Sequence, residues 1–237
     1  MSDDIDLFTA GRGFPMDHLS PSFISKFEDC PLKALYYREG RPAEYDIRYA
    51  EVGKHIHSIL EKEYNPDAQI YEPVCGMDEM MAIRRNQSLE GYMTLRKQDR
   101  RFDPREGTQH PEVHVRSEIR GVPIIGFIDL LSIRGSMVYI DDWKTGFPGK
   151  KDEQQIRIYT MMVSRIMGIP PRDIIATLDY LREEPRRIQK RVPYTSTAAI
   201  EQHIEREVIE PINDLQFVPV RGSHCERCEY RRICEAW

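Results

Sequence analysis

Apolar positions along the chain recur with two periods, and each period predicts its own kind of element. Residues 112–119 alternate apolar and polar, as a half-buried strand does. From Gly126 to Gly146 two further apolar strands follow, joined by a tight turn at Arg134-Gly135. Elsewhere the spacing is helical. Ser20 reads as an N-cap with Pro21 at the first helical position, ahead of Phe23, Ile24, Phe27 and Cys30 on one side. Cys30-Pro31 interrupts that helix, and a short second one covers 32–37. A helix over about 49–64 buries Val52, Ile56, Ile59 and Leu60, and another occupies about 77–97. Asp152 and Gln155 are spaced like a capping box at the start of a helix that runs to Met167 and stops at Gly168-Ile169-Pro170-Pro171. Residues 174–181 read as a strand and 187–192 as an edge strand pairing with it. A last helix over about 197–215 carries Ile200, Ile204, Val208 and Ile212, with a bend at Pro211. Residues 1–18 read as a flexible lead-in. Helices, three strands, a helix, two strands and a helix make an α/β layer arrangement.

Strand alternation sends Val138, Ile140, Asp142 and Lys144 to one face, and Met137, Tyr139, Asp141 and Trp143 to the other. An acid and a lysine on one face of an apolar strand are costly to bury unless paired. Asp129, at the end of the preceding strand, is brought near Asp142 by the hairpin. Two carboxylates converging beside a lysine suit a hard divalent cation such as Mg²⁺. The lysine can then hold a phosphate or the attacking water, as metal-assisted phosphodiester hydrolysis requires. A solvated Asp142–Lys144 ion pair is the plain alternative, and the apolar setting argues against it. His57 sits at the rim of the apolar stripe of its helix, where it can look into a cleft. Gln155 and Tyr159, four apart, share a helix face.

Composition narrows the class without naming a chemistry. The 237 residues suffice for a sizeable core; 31% are charged and 40% hydrophobic, as in ordinary soluble proteins. No apolar run is long enough to span a bilayer, and the acidic start lacks a secretory pattern, so the expected location is the cytoplasm. A net charge of −5 argues weakly against a nucleic-acid partner. Basic residues nevertheless cluster at Arg96, Lys97, Arg100, Arg101 and Arg105, and again at Arg182, Arg186, Arg187, Lys190 and Arg191. The C-terminus adds Arg221, Arg227, Arg231 and Arg232.

That C-terminus also holds Cys225, Cys228 and Cys234 in C-x₂-C-x₅-C spacing, a metal-binding pattern in a reducing compartment. Three thiolates want a fourth ligand. Cys30, on an exposed-looking break, is the best candidate; His224 and Cys75 are lesser ones. Four thiolates suit zinc and iron–sulfur clusters alike, and spacing does not separate them. Bridging Cys30 to the tail would clamp the first helix to the C-terminus, a structural role.

Taken in order, Leu19-Ser20-Pro21-Ser22 with Cys30-Pro31, Gly53-x₃-His57, Gly126-x₂-Asp129, Ile140-Asp141-Asp142-Trp143-Lys144-Thr145-Gly146, Gln155-x₃-Tyr159 and the terminal cysteines resemble a RecB-type nuclease of the PD-(D/E)XK superfamily. The resemblance covers 19–237 and is nearest the cysteine-rich branch, which holds the CRISPR-associated adaptation exonucleases and the AddB-type nuclease domains. It implies one nuclease domain with a restriction-endonuclease-like core, a mixed central sheet flanked by helices. The helical part would span about 19–110, the catalytic sheet about 111–195, and the last helix with the cysteines 196–237. It further implies that His57, Asp129, Asp142 and the Trp143 backbone carbonyl ligate Mg²⁺ or Mn²⁺. Lys144 would position water or offset phosphate charge, and Gln155 and Tyr159 would orient the nucleic acid. Cys30, Cys225, Cys228 and Cys234 would hold a [4Fe–4S] cluster that joins the two ends of the chain. Asp141, beside Asp142, departs from the pattern, and alternation turns it away from Lys144.

The expected activity is metal-dependent DNA exonuclease action on single strands or DNA ends, in CRISPR adaptation, recombination and repair, or viral DNA processing. Any integrase, helicase or recombination partner would be a separate chain. The rival expectation is a non-catalytic DNA-end-binding or assembly module with a structural iron–sulfur or zinc site.

Overall fold

Strand pairing follows the alternation read from the chain. A computed structural model describes residues 16–98, 107–148, 150–182, 184–190 and 196–237. Its elements are α1 (Pro21–Asp29), α2 (Pro31–Arg38), α3 (Ile47–Tyr64), α4 (Glu79–Gln98), β1 (Thr108–Ile119), β2 (Val122–Arg134), β3 (Met137–Lys144), α5 (Lys150–Met167), β4 (Ile174–Tyr180), β5 (Arg186–Lys190), α6 (Ser196–Ile204) and α7 (Glu210–Asn213). The five strands form one sheet in the order β1-β2-β3-β4-β5. β3 is antiparallel to β2 and parallel to β4, and β4 is antiparallel to β5. The sheet is therefore mixed. Its parallel pair needs a crossover, which α5 supplies. Of the expected lead-in, 1–15 lie outside the described residues, while Met16 is buried.

The chain divides into two compact units, 1–44 with 116–125 and 198–237, and 45–115 with 126–197. In the second unit Trp143, on the β3 face opposite Asp142, is sealed by Val52, Ile56 and Leu60 of α3 and by Met81, Tyr92 and Leu95 of α4. Such a large buried ring contributes several kcal/mol, of order 3 by area. α4 comes very close here: a Cβ added to Gly91 would lie 1.7 Å from the Leu181 carbonyl oxygen. On the same side Asp179, directly across from Arg187, takes a bidentate ion pair with Nε–Oδ1 and Nη2–Oδ2 distances of 2.5 Å. Burial holds the Arg187 guanidinium down at about 10. Arg187 thus serves the interior, a correction to its place in an exposed basic cluster.

In the first unit Ser20 caps α1, its hydroxyl accepting from Phe23 N at 3.1 Å. Leu19 bridges Ile124 in parallel. The C-terminal helix is not the simple bent helix its pattern predicts. Glu205–Ile209 form a π-turn between α6 and α7. The stripe explains why: residues four apart drift by about 40° per step on an α-helix. A wider turn takes that drift back and keeps Ile200, Ile204, Val208 and Ile212 all buried. Pro211 follows at once, with no amide to close the normal ladder.

Candidate metal centre

The site is built where β2 and β3 part, wholly within the second unit. Their ladder ends at Leu130 opposite Asp141, while β3 continues beside β4 through Lys144 opposite Tyr180. Beyond the fork the Trp143 amide has no β2 carbonyl to meet. It donates instead to Asp129 Oδ2 at 2.6 Å. The other oxygen, Oδ1, faces His57 Nδ1 at 3.2 Å. His57 stands edge-on to Trp143, with ring centroids 5.9 Å apart, so the core aromatic fixes its orientation. Glu112 of β1 completes the group. One ligand atom each from His57, Glu112 and Asp129 lie within 4.8 Å of one another.

Glu112 was not singled out by the sequence, where it is one polar residue in an alternating strand. Its φ of 47° is rare for a side-chain-bearing residue, and its carboxyl is half-buried. Burial first, and then the Asp129 charge, push it up to about 7. Burial disfavours a charged His57, but the Asp129 carboxylate outweighs it and raises the imidazole to about 9. Two carboxyl groups brought this close to each other and to a histidine fit a cation that would displace protons from the group.

Beside this group Asp142, 3% exposed, keeps an ion pair of 2.6 Å between Oδ2 and Lys144 Nζ. That oxygen lacks a hydrogen bond of good alignment. Burial, with Asp129 adding to it, lifts Asp142 above the ordinary carboxylate range. Burial opposes the charge on Lys144, yet Asp142 prevails and holds the ammonium above its ordinary value. Lys144 Nζ also donates to Gln155 Oε1 at 2.7 Å; Gln155 Nε2 donates to Tyr159 Oη at 3.3 Å; Tyr159 Oη donates to the Phe127 carbonyl at 2.6 Å. Gln155 is thus engaged with the lysine rather than with a capping box, since α5 begins at Lys150. Asp152, the other half of that expected box, accepts from Tyr180 Oη at 2.8 Å.

The chain as a whole has relatives among known proteins. The model of the PD-(D/E)XK nuclease superfamily matches residues 18–235. The chain belongs to the PD-(D/E)XK nuclease superfamily. Members of this superfamily use divalent metals, and the fork carries a candidate histidine–carboxylate site of that kind. A solved structure described as "Putative exonuclease" from Eubacterium rectale shares the fold of this PD-(D/E)XK chain, with TM-score 0.58 at 16% identity, covering 92% of this chain and 90% of that one. SSO0001 gives TM-score 0.49 at 18% identity, covering 96% and 90%. No curated protein matches the chain.

The first unit carries the cysteines. Cys30 is buried, not exposed as its break before Pro31 suggested, because its thiol faces a cavity closed by the C-terminal tail. Cys30, Cys225, Cys228 and Cys234 line one cavity together with Lys33 and Tyr36. Amides aim at the sulfurs: Val220 N lies 3.4 Å from Cys30 Sγ, and Gly222 N 3.4 Å from Cys225 Sγ. Lys33–Glu229 at 2.9 Å and the edge contact of Tyr36 with Tyr230, centroids 5.7 Å apart, fasten α2 to the tail. His224 Nε2 is 3.6 Å from Cys225 Sγ, and Cys75 is exposed in the other unit.

The basic clusters prove uneven. Arg96 pairs with Glu63 at 2.5 Å, Arg182 is buried over the Phe147 ring, and Arg232 pairs with Glu44 at 2.7 Å. Arg100, Arg101, Arg105 and Arg191 lie outside the described residues. Among the described residues no helix is long and apolar enough to cross a membrane.

Proposed function

We propose that the protein is a divalent-metal-dependent DNA exonuclease that prefers single strands or DNA ends and carries a structural [4Fe–4S] cluster. The observation that carries the reading is the convergence of His57, Glu112 and Asp129 within 4.8 Å, with the Asp142–Lys144 pair alongside. His57, Asp129, Asp142 and the Trp143 carbonyl, joined by Glu112, would hold Mg²⁺ or Mn²⁺. Bound there, the cation supplies Lewis-acid polarisation of the phosphate and a water of lowered pKa. The chain supplies the rest. Lys144, kept protonated by Asp142, offsets the charge that builds on the phosphate. Gln155 and Tyr159 hold that ammonium in place and orient the strand. Timed digestion of end-labelled single-stranded DNA with Mn²⁺ tests this; binding without degradation would leave a DNA-end-binding module. The setting of CRISPR adaptation, recombination and repair, or viral DNA processing, with a separate integrase or helicase, rests on the sequence resemblance.

Glu112 gives this reading a sharper test. Glu112→Gln removes one ligand charge at little change in shape, so Mn²⁺ affinity by calorimetry falls about tenfold or more. In the unsubstituted protein that affinity climbs as pH rises from about 6 to 9, because Glu112 near 7 and His57 near 9 must give up protons to become ligands. A pH-independent affinity, unchanged by Glu112→Gln, would place the cation elsewhere.

Four thiolates suit a cluster and zinc alike, and the choice of a cluster rests on the sequence resemblance. Anaerobically purified protein is expected to be brown, and Cys228→Ser to lose the colour and loosen the tail. Colourless protein with stoichiometric zinc would overturn the assignment.

A further inference from the structure

Three residues past Lys144 the chain exposes Phe147, a residue 71% accessible. An exposed phenylalanine so near in sequence to a polar site asks what covers it. The Arg182 guanidinium lies over the ring, 5.0 Å from its centroid. A second pair of the same kind flanks the same segment: Arg84 of α4 lies 4.5 Å over the ring of Tyr49, which is itself 51% exposed. Both arginines are anchored to β3 and its exit. Arg84 Nη2 reaches the Thr145 carbonyl at 3.5 Å, and Leu181, next to Arg182, donates its amide to the Lys144 carbonyl at 2.9 Å.

α3 aligns these features with the metal centre. Tyr49, Gly53 and His57 are spaced four apart, so Gly53 neighbours both of the others on the helix surface. Gly53 meets Thr145, to whose Oγ1 an added Cβ would come within 3.4 Å. His57 lies at the cation-binding end of that row, and Tyr49 about 12 Å away along the axis.

We propose that Phe147 and Tyr49, each backed by its arginine, form a nucleobase-stacking subsite that takes the unpaired bases of single-stranded DNA leading to the Lys144 centre. A ring with a guanidinium on one side is held in orientation, and its remaining surface is open to a base. Base–aromatic stacking tolerates any sequence, and the nearby guanidinium charge suits the strand's phosphates. Bases inside a duplex are covered on both sides by their neighbours, so only a single strand or frayed end can use such rings. The subsite rests on the nuclease reading for its direction but not for its binding chemistry.

The test is fluorescence anisotropy of a labelled oligodeoxythymidylate 20-mer in EDTA, with blunt duplex as comparison. Phe147→Ala and Tyr49→Ala are each expected to weaken single-strand binding about tenfold and to leave duplex binding and thermal unfolding unchanged. Phe147→Trp is expected to bind like the original protein, and Phe147→Leu no better than Phe147→Ala, since leucine is apolar without a π-face. Unchanged single-strand affinity in Phe147→Ala, full rescue by Phe147→Leu, or equal losses on duplex would each overturn the subsite. Digestion with Mn²⁺ separates the two readings. Protein that binds through Phe147 but degrades nothing removes the nuclease and leaves the subsite. Protein that degrades single strands while Phe147→Ala binds normally removes only the subsite.

Discussion

Asp142→Asn is expected to abolish Mn²⁺-dependent cleavage of single-stranded DNA, lowering the rate about 10³-fold or more, without unfolding the protein. The substitution keeps the shape of the side chain but removes the negative charge that would meet the cation and that holds Lys144 protonated. Lys144 then keeps its bond to Gln155 Oε1, so the ammonium is not stranded. Lys144→Met is expected to cost a similar factor through loss of transition-state charge stabilisation. Lys144→Arg does not rescue it. A planar guanidinium cannot occupy a point lying 2.6 Å from Asp142 Oδ2 and 2.7 Å from Gln155 Oε1. Gel assays of end-labelled DNA read both effects, and circular dichroism confirms the fold. Asp142→Asn protein that still degrades DNA with Mn²⁺ would remove the fork from the chemistry.

Gly91→Ala is expected to give a stability loss of about 3 kcal/mol or more for the addition of one methyl group. In an exposed helix this change stabilises by nearly 1 kcal/mol. Here the new Cβ falls 1.7 Å from the Leu181 carbonyl oxygen and 2.7 Å from its carbon, both backbone atoms that no side-chain rotation can move. Either α4 lifts off the Trp143 cluster or the end of β4 shifts. The second route also disturbs the site, because the Leu181 amide holds the Lys144 carbonyl. Thermal unfolding of Gly91→Ala should fall by about 6–12 °C, at 2–4 °C per kcal/mol for a chain of this length. Met93→Ala, on the exposed side of the same helix, serves as control. An unchanged melting temperature would mean that α4 does not approach β4 so closely.

Local periodicity carried the hairpin well. It separated the Asp142 face from the Trp143 face and placed His57 at the rim of α3, all of which depend only on neighbours along one element. Glu112 escaped because its role depends on which strand lies next to Asp129 and how β1 is set against α3, and neither is written in local spacing. Arg187 was misplaced for a related reason. Charges that are neighbours in sequence looked like one basic surface, whereas the antiparallel register of β4 and β5 sets Arg187 opposite the buried Asp179. Asp152 and Gln155 satisfied a capping pattern by spacing alone, yet tertiary partners, Tyr180 and Lys144, claimed both. The π-turn was visible in outline: four apolar residues in strict steps of four cannot stay on one face of a regular helix.

A cation held between β2 and α3 is the central requirement of the proposed nuclease. Anomalous diffraction from crystals soaked in Mn²⁺ reads that position directly. The predicted result is a peak about 2.0–2.2 Å from His57 and Asp129, with Asp142 or Glu112 completing its shell and Lys144 Nζ alongside. A peak elsewhere, or none at the fork under Mn²⁺ concentrations that support DNA cleavage, would contradict it.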